Sequence, residues 1–167
     1  MINEKLGFED KIAFGMVKGV SEKLGLEYNV QLTLRDAEGK IKQFEEIHNT
    51  VPAAGLAAIM DQLLDSPAIA VPTAMEVGTG SPAATKLGAY IAGSRTALSA
   101  KTRDAAAVEM KCTFAAGVGT GAITEAGIFS VVTEDTPEMY CSASFAVINK
   151  AAPDSLEIVW TITATTT

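Results

Sequence analysis

The sequence has few of the residues from which catalytic and metal sites are usually built. It contains one histidine, two cysteines and one tryptophan in 167 residues, and aromatic residues make up 6% of the chain. These counts exclude a metal site built from several histidines and a framework of several disulfides. No run approaches the roughly 20 apolar residues of a membrane-spanning helix, and no N-terminal stretch has a signal-peptide pattern. We therefore expect a soluble protein with no membrane partner.

Charge is also scarce over most of the chain. The formal net charge is −7, which argues against a nucleic-acid partner because phosphate binding depends on clustered lysine and arginine. Residues 1–50 carry 16 of the 33 charged side chains, and residues 51–167 carry the other 17 over more than twice the length. A surface this poor in charge is often covered by another copy or by a larger assembly.

The length favours a single domain, and a hydrophobic content of 48% provides enough apolar material for a core. The predominance of small apolar residues suits thin β-layers better than a large ligand pocket, so we expect no small-molecule substrate. We divide the chain into an N-terminal arm, residues 1–27, and one β-domain, residues 28–167. Apolar residues of the arm fit one helical face: Phe8, Ile12, Met16 and Val17. Two glycines weaken that helix, so an extended arm that docks on a neighbour fits the segment equally well.

The domain begins with a predicted β-hairpin and a helix. Residues 28–35 alternate between apolar and polar, residues 36–39 form a turn, and residues 41–48 return with a bulge or as a two-sided strand. Asn49 or Thr50 can cap the helix and Pro52 suits its first turn. An apolar stripe at helical spacing predicts that the helix packs on a sheet, and Ser66-Pro67 ends it. The stripe consists of Leu56, Ile59, Met60, Leu63 and Leu64.

The remainder reads as short strands separated by turns. The candidate strands are Thr73–Val77, Ser94–Thr102, Ala106–Ala115, Ala122–Val132, Met139–Val147 and Ser155–Thr165. This pattern predicts a mainly β fold, an antiparallel β-sandwich or barrel of about eight strands with one packed α-helix and an N-terminal arm. The threonine-rich C-terminal strand would be an open edge unless another strand pairs with it.

For each candidate site, an ordinary structural explanation is favoured over a functional one. Gly117-x-Gly119-x-x-Ala122 formally matches a dinucleotide-binding pattern, but a strand-like segment follows where that pattern needs a helix, so we predict a loop. His48 lacks the context of a catalytic base and is expected to make a turn or interface hydrogen bond. The sequence therefore predicts no catalytic residue.

The remaining candidates are thiols and acidic pairs. Cys112 and Cys141 are expected to be core thiols, with one disulfide as the alternative. Glu45 and Glu46 point to opposite faces of a strand, and Glu134-Asp135 lies in a turn where solvated acids are common. We therefore predict no cofactor-binding residue and no metal site.

Several segments between Met75 and Thr165 resemble a widespread group of small structural proteins of tailed bacteriophages. The most specific are Ile123-Thr-Glu-Ala-Gly-Ile-Phe129 and Val147-Ile-Asn-Lys150 followed by Trp160-Thr-Ile-Thr163. Others are Met75-Glu-Val-Gly-Thr-Gly-Ser-Pro82, Leu87-Gly-Ala89 and Ser94-Arg-Thr-Ala-Leu-Ser-Ala-Lys-Thr102. The resemblance covers about residues 28–165, including His48-Asn49-Thr50-Val51 and the helix that follows, and leaves the arm without a counterpart.

The resemblance implies a virion component without enzymatic activity, made in the host cytoplasm. Together with the scarce charge and the arm, it leads us to expect a capsid decoration, or cement, protein. Such a protein would bind the major capsid protein on the outer surface of the head, as a homotrimer. The alternative within the virion is a low-copy tail, neck or fibre-attachment protein. An alternative of another class is a small hydrolase or a carbohydrate-binding domain, against which the scarcity of aromatic residues argues.

Overall fold

The computed structural model describes residues 24–50, 53–136 and 138–166. In chain order the elements are β1 (Leu24–Arg35), β2 (Ile41–Thr50), α1 (Ala53–Asp61), β3 (Ala74–Gly78), β4 (Thr96–Ala97), β5 (Ala100–Asp104), β6 (Ala107–Phe114), β7 (Gly121–Phe129), β8 (Met139–Lys150) and β9 (Ser155–Thr166). β1 therefore begins inside the segment assigned to the arm, and residues 1–23 of that segment lie outside the described residues.

The strands form two antiparallel sheets, which confirms the predicted β-sandwich. The five-stranded sheet has the order β2-β1-β9-β6-β5, and the four-stranded sheet has the order β4-β3-β7-β8. The core lies between them and takes buried apolar side chains from both, among them Leu32, Ile158 and Ile128. Trp160 is fully buried there, with its ring centroid 5.2 Å from that of Tyr28. The chain's single tryptophan is therefore no surface platform for a sugar.

The C-terminal strand β9 lies in the middle of its sheet, so the expectation of an open edge is wrong. It pairs with β1 over twelve residues, from Leu24↔Thr166 to Arg35↔Ser155, and with β6 on its other side. Strand alternation specifies which face of β9 is buried but not which strands flank it. The threonine-rich end therefore gives no support for assembly.

The hairpin follows its predicted pattern. The even-numbered residues 28–34 are buried, and Gly39 closes the turn at a φ of 83°. The register shifts at the end of the pairing, where Leu34 lies opposite Gln43 and Arg35 opposite Ile41. Lys42 is thus the extra residue of a bulge in β2, as the irregular alternation indicated.

The predicted strand Ser94–Thr102 is wrong as one element, because the chain crosses between the sheets there. β4 pairs with β3 in the four-stranded sheet, whereas β5 pairs with β6 in the other. Between them, the backbone N–H of Leu98 donates to the carbonyl of Thr73 and that of Ser99 donates to Lys111. The crossover raises the number of described strands to nine.

The helix packs on a different face from the predicted one. Gly55 and Ala58 are buried and Ile59 is half-buried, while Leu56, Met60, Leu63 and Leu64 are exposed. The helix ends at Asp61, because the next three N–H groups bond to carbonyls only three residues back. The proposed caps Asn49 and Thr50 are the last residues of β2, and Pro52 lies outside the described residues.

Cys112 and Cys141 are buried free thiols on opposite sheets, as the core interpretation predicted. Burial raises the pKa of Cys112 to about 12 and raises that of Cys141 as well. We expect neither thiol to react with a thiol reagent at pH 8 in the folded protein, because the reactive thiolate is scarce and shielded. Two thiols per chain should titrate after denaturation without reductant, and a smaller number would contradict this assignment.

Candidate functional site

Buried charged groups are the chemically most distinctive feature of the domain. Among the described residues, the buried ones are Glu76, Arg95, Glu125, Lys150 and Asp154. A buried charge is costly unless it is paired or hydrogen-bonded, so the partners of each group define what it does.

Arg95 and Glu76 form a buried ion pair beside β3. Arg95 Nη2 lies 3.0 Å from Glu76 Oε2, and both side chains are 1% exposed. The guanidinium carbon lies 3.6 Å from the centre of the Phe129 ring, and Nη1 donates to the carbonyl of Thr133 at 2.9 Å. Arg95 thus connects β3, β7 and the segment that follows β7.

Glu125 on β7 holds the glycine-rich segment that follows β3. Its side chain is fully buried and accepts three backbone N–H groups, those of Gly80 at 3.0 Å, Gly88 at 3.0 Å and Ala89 at 2.8 Å. A Cβ atom on Gly78 would lie 2.5 Å from a carboxylate oxygen of Glu125. The small residues therefore permit the close approach, and the carboxylate satisfies their backbone donors.

Lys150 and Asp154 fasten the turns around β8 and β9. Lys150 Nζ donates to the carbonyl of Ala115 at 2.9 Å, and burial lowers its pKa. Asp154 accepts Lys42 Nζ at 2.6 Å and the N–H of Ala151 at 2.9 Å. These contacts hold the pKa of Asp154 below its usual value.

The glycine pattern lies in a loop between strands, as predicted. Gly117 and Gly119 both have positive φ values, and the loop leads from β6 into β7 rather than into a helix. A Cβ on Gly119 would lie 2.8 Å from a side-chain carbon of Val77, so this loop packs against the end of β3. The geometry lacks the helix N-terminus that a pyrophosphate needs.

The two acidic pairs lie in different parts of the domain, and His48 lies near Glu46 of the first pair. Glu46 faces outward on β2, where hydrogen bonds from Asn29 and Gln31 lower its pKa, and His48 Nε2 lies 3.9 Å from it. Glu45 is half-buried on the opposite face. Glu134 is not simply solvated, because it accepts the backbone N–H of Arg95 at 3.2 Å.

Within the described part of the chain, no group of three or more His, Cys, Asp and Glu side chains could hold a metal ion. No helix in that same part of the chain is long and apolar enough to cross a membrane.

The apolar face of α1 and the turn after it form an exposed hydrophobic surface. We call it the helix stripe, and it consists of Leu56, Met60, Leu63 and Leu64, which are 37%, 48%, 78% and 60% exposed. Glycine and alanine on the opposite side let α1 lie close to the sheet. Four neighbouring large apolar side chains in water are unfavourable and typically mark a contact surface.

A second apolar feature is a cavity of about 250 Å³ at one end of the sandwich, which we call the end cavity. Its lining includes Leu26 of β1, Ile59 of α1, Val108 of β6, Tyr140 of β8 and Ile162 of β9. Gln62 donates to Tyr140 Oη at 2.8 Å and so joins the end of α1 to β8 at the cavity wall. The end cavity is thus bounded by both sheets and the helix.

Comparisons with protein-family models, with curated proteins and with solved structures find no match. The basis for proposing a function is therefore the chain's own surfaces and the residues that carry the phage resemblance.

The buried pair can be tested with three variants. Glu76→Met and Arg95→Met should each lower the free energy of unfolding by about 3–5 kcal/mol, because each leaves an unpaired buried charge. The double variant should cost less than the sum of the singles by about 1–3 kcal/mol. Urea denaturation measures all three, with the exposed Arg103→Met as control. Strict additivity would show that the two charges do not stabilise each other.

Asp154 should make the free energy of unfolding depend on pH under acidic conditions. Its pKa is lowered in the folded state, so its contribution is present above about pH 4 and is lost as the pH falls through the folded value. Asp154→Asn should therefore be less stable than the parent at pH 7, and the difference should shrink below pH 4. Thermal denaturation across pH measures this, with Asp104→Asn on exposed β5 as control. A difference that is constant over the whole pH range would contradict the assignment.

Proposed function

We propose that this chain is a non-enzymatic capsid decoration protein that binds the outer surface of an assembled phage head. The observation that carries the proposal is the helix stripe, where four large apolar side chains lie exposed on one helix and its following turn. A stripe of this kind is stabilised when another protein covers it. The major capsid protein is the proposed partner, and other copies of this chain complete a homotrimer.

The charge distribution supports the same proposal. Residues 51–167 are poor in charge, and five of their charged groups lie inside the domain, bound to loops or to each other. The solvent-facing surface of this region is thus poorer still in charge than the sequence implies. Surfaces depleted in charge are typical of the central part of protein interfaces.

The proposed mechanism is stabilisation by mass action. A protein that binds the assembled shell but not its separate subunits shifts the equilibrium toward the shell by RT ln(1 + [L]/Kd). No chemical step is needed, and the buried carboxylates and cations described above serve the domain itself. The helix stripe is presented by α1 and the turn that follows it, so part of its conformational entropy is already lost before binding.

Copy number in purified virions tests the proposal. Quantitative mass spectrometry against the major capsid protein should give hundreds of copies per particle, because a decoration protein repeats with the shell lattice. About six or twelve copies, as cyclic symmetry at a tail or neck would give, would overturn the decoration role and favour the tail, neck or fibre alternative.

Variants of the helix stripe test which surface binds. Leu63→Asp combined with Leu64→Asp should weaken binding to shells stripped of this protein about tenfold or more, as expected for central apolar contacts. Thr102→Asp, on the exposed strand β5, is the matched control and should bind normally. Circular dichroism verifies folding of both. Unchanged binding of the double variant would show that the shell contacts another surface.

A further inference from the structure

Neither the fold nor the proposed function explains the end cavity. Half-buried apolar side chains of the five-stranded sheet, such as Leu26, Val108 and Ile162, line it where the facing sheet gives way to α1. A volume of about 250 Å³ corresponds to about eight water molecules. Water gains little in an apolar cavity, so an apolar side chain would occupy it more favourably.

The position where the described chain begins points to the occupant. β1 starts at Leu24, paired with Thr166 at the end of the sheet, and Leu26 lines the cavity two residues later. Residues 1–23 are therefore joined to the domain at the rim of the cavity. Val20 is four residues from Leu24, and an extended chain spans at most about 3.3–3.6 Å per residue, so the last part of this segment is within reach.

The composition of this segment fits an apolar cavity. Phe14, Met16, Val17 and Val20 lie in its second half. Because the segment is covalently attached beside the cavity, its effective concentration there is far higher than that of a separate chain. This favours the chain's own segment over the same segment of a second copy.

We propose that residues 1–23 fold back over the end of their own domain and place apolar side chains from residues 14–20 in the end cavity. The segment then completes the core between α1 and the five-stranded sheet. This inference does not depend on the proposed virion role, because it concerns contacts within one chain. It differs from the expectation that the arm docks on a neighbour, and the experiment below distinguishes the two.

Photocrosslinking in the full chain tests this placement. p-Benzoylphenylalanine is introduced at Ile162 on the cavity wall, and an equal mixture of unlabelled and ¹⁵N-labelled chains is irradiated and digested. Mass spectrometry should identify crosslinks to peptides within residues 1–23, with both crosslinked peptides carrying the same isotope. Thr161, the next residue of β9 and on the outer face of the same strand, is the matched control and should give no such crosslink.

Two results would overturn the proposal. Absence of crosslinks to residues 1–23 would show that something else, or nothing, occupies the end cavity. Crosslinks that join an unlabelled peptide to a ¹⁵N-labelled peptide would show that the segment comes from a second copy. Because the bulky label could disturb β9, the same measurement is made from Val108, which lies opposite Ile162 on β6. Circular dichroism verifies folding, and agreement between the two positions is the expected result.

Discussion

The carboxylate of Glu125 is the contact on which the glycine-rich side of the sandwich depends. Residues 78–89 are mostly small and, apart from the buried Leu87, contribute little apolar area, so backbone hydrogen bonds supply much of their order. Glu125 accepts three of these N–H groups from inside the domain. Small side chains allow the strand and the loop to approach, and the approach buries the charge. The small side chains of this segment and the buried carboxylate of Glu125 therefore depend on each other.

The same principle recurs at the other loops and explains the charge distribution. Arg95 binds the segment after β7, Lys150 the end of β6, and Asp154 the turn before β9. Several of the few charges after residue 50 thus hold backbone rather than face water. A domain built in this way keeps few charges on the surface of this region. A surface low in charge agrees with the proposed binding to a larger assembly.

The features of the fold that the sequence predicts correctly follow from the two-residue alternation of β-strands. The alternation in β1 and β9 specifies their buried faces, because adjacent side chains point to opposite sides. The same logic fails for α1, since a stripe shows which residues share a face but not whether that face is covered. Gly55 and Ala58 decide the matter by allowing close packing. The pairing of Glu76 with Arg95 was not predicted from the sequence, because the two residues are distant in the chain. The charge of Glu76 within the apolar strand β3 was nevertheless a signal for a buried partner.

The residues behind the phage resemblance can be separated from those that would specify a partner. The segments that carry it contain Glu76, Arg95, Glu125, Lys150 and Trp160, all of them buried supports of the sandwich. Shared residues of this kind are explained by a shared fold, since each fixes backbone or core. The resemblance also includes His48-Asn49-Thr50-Val51 and the helix that follows, whereas the arm, residues 1–27, has no counterpart in it. A protein with the same supports and a different helix stripe would have this fold and bind something else, so the choice of partner depends on exposed residues rather than on these buried supports.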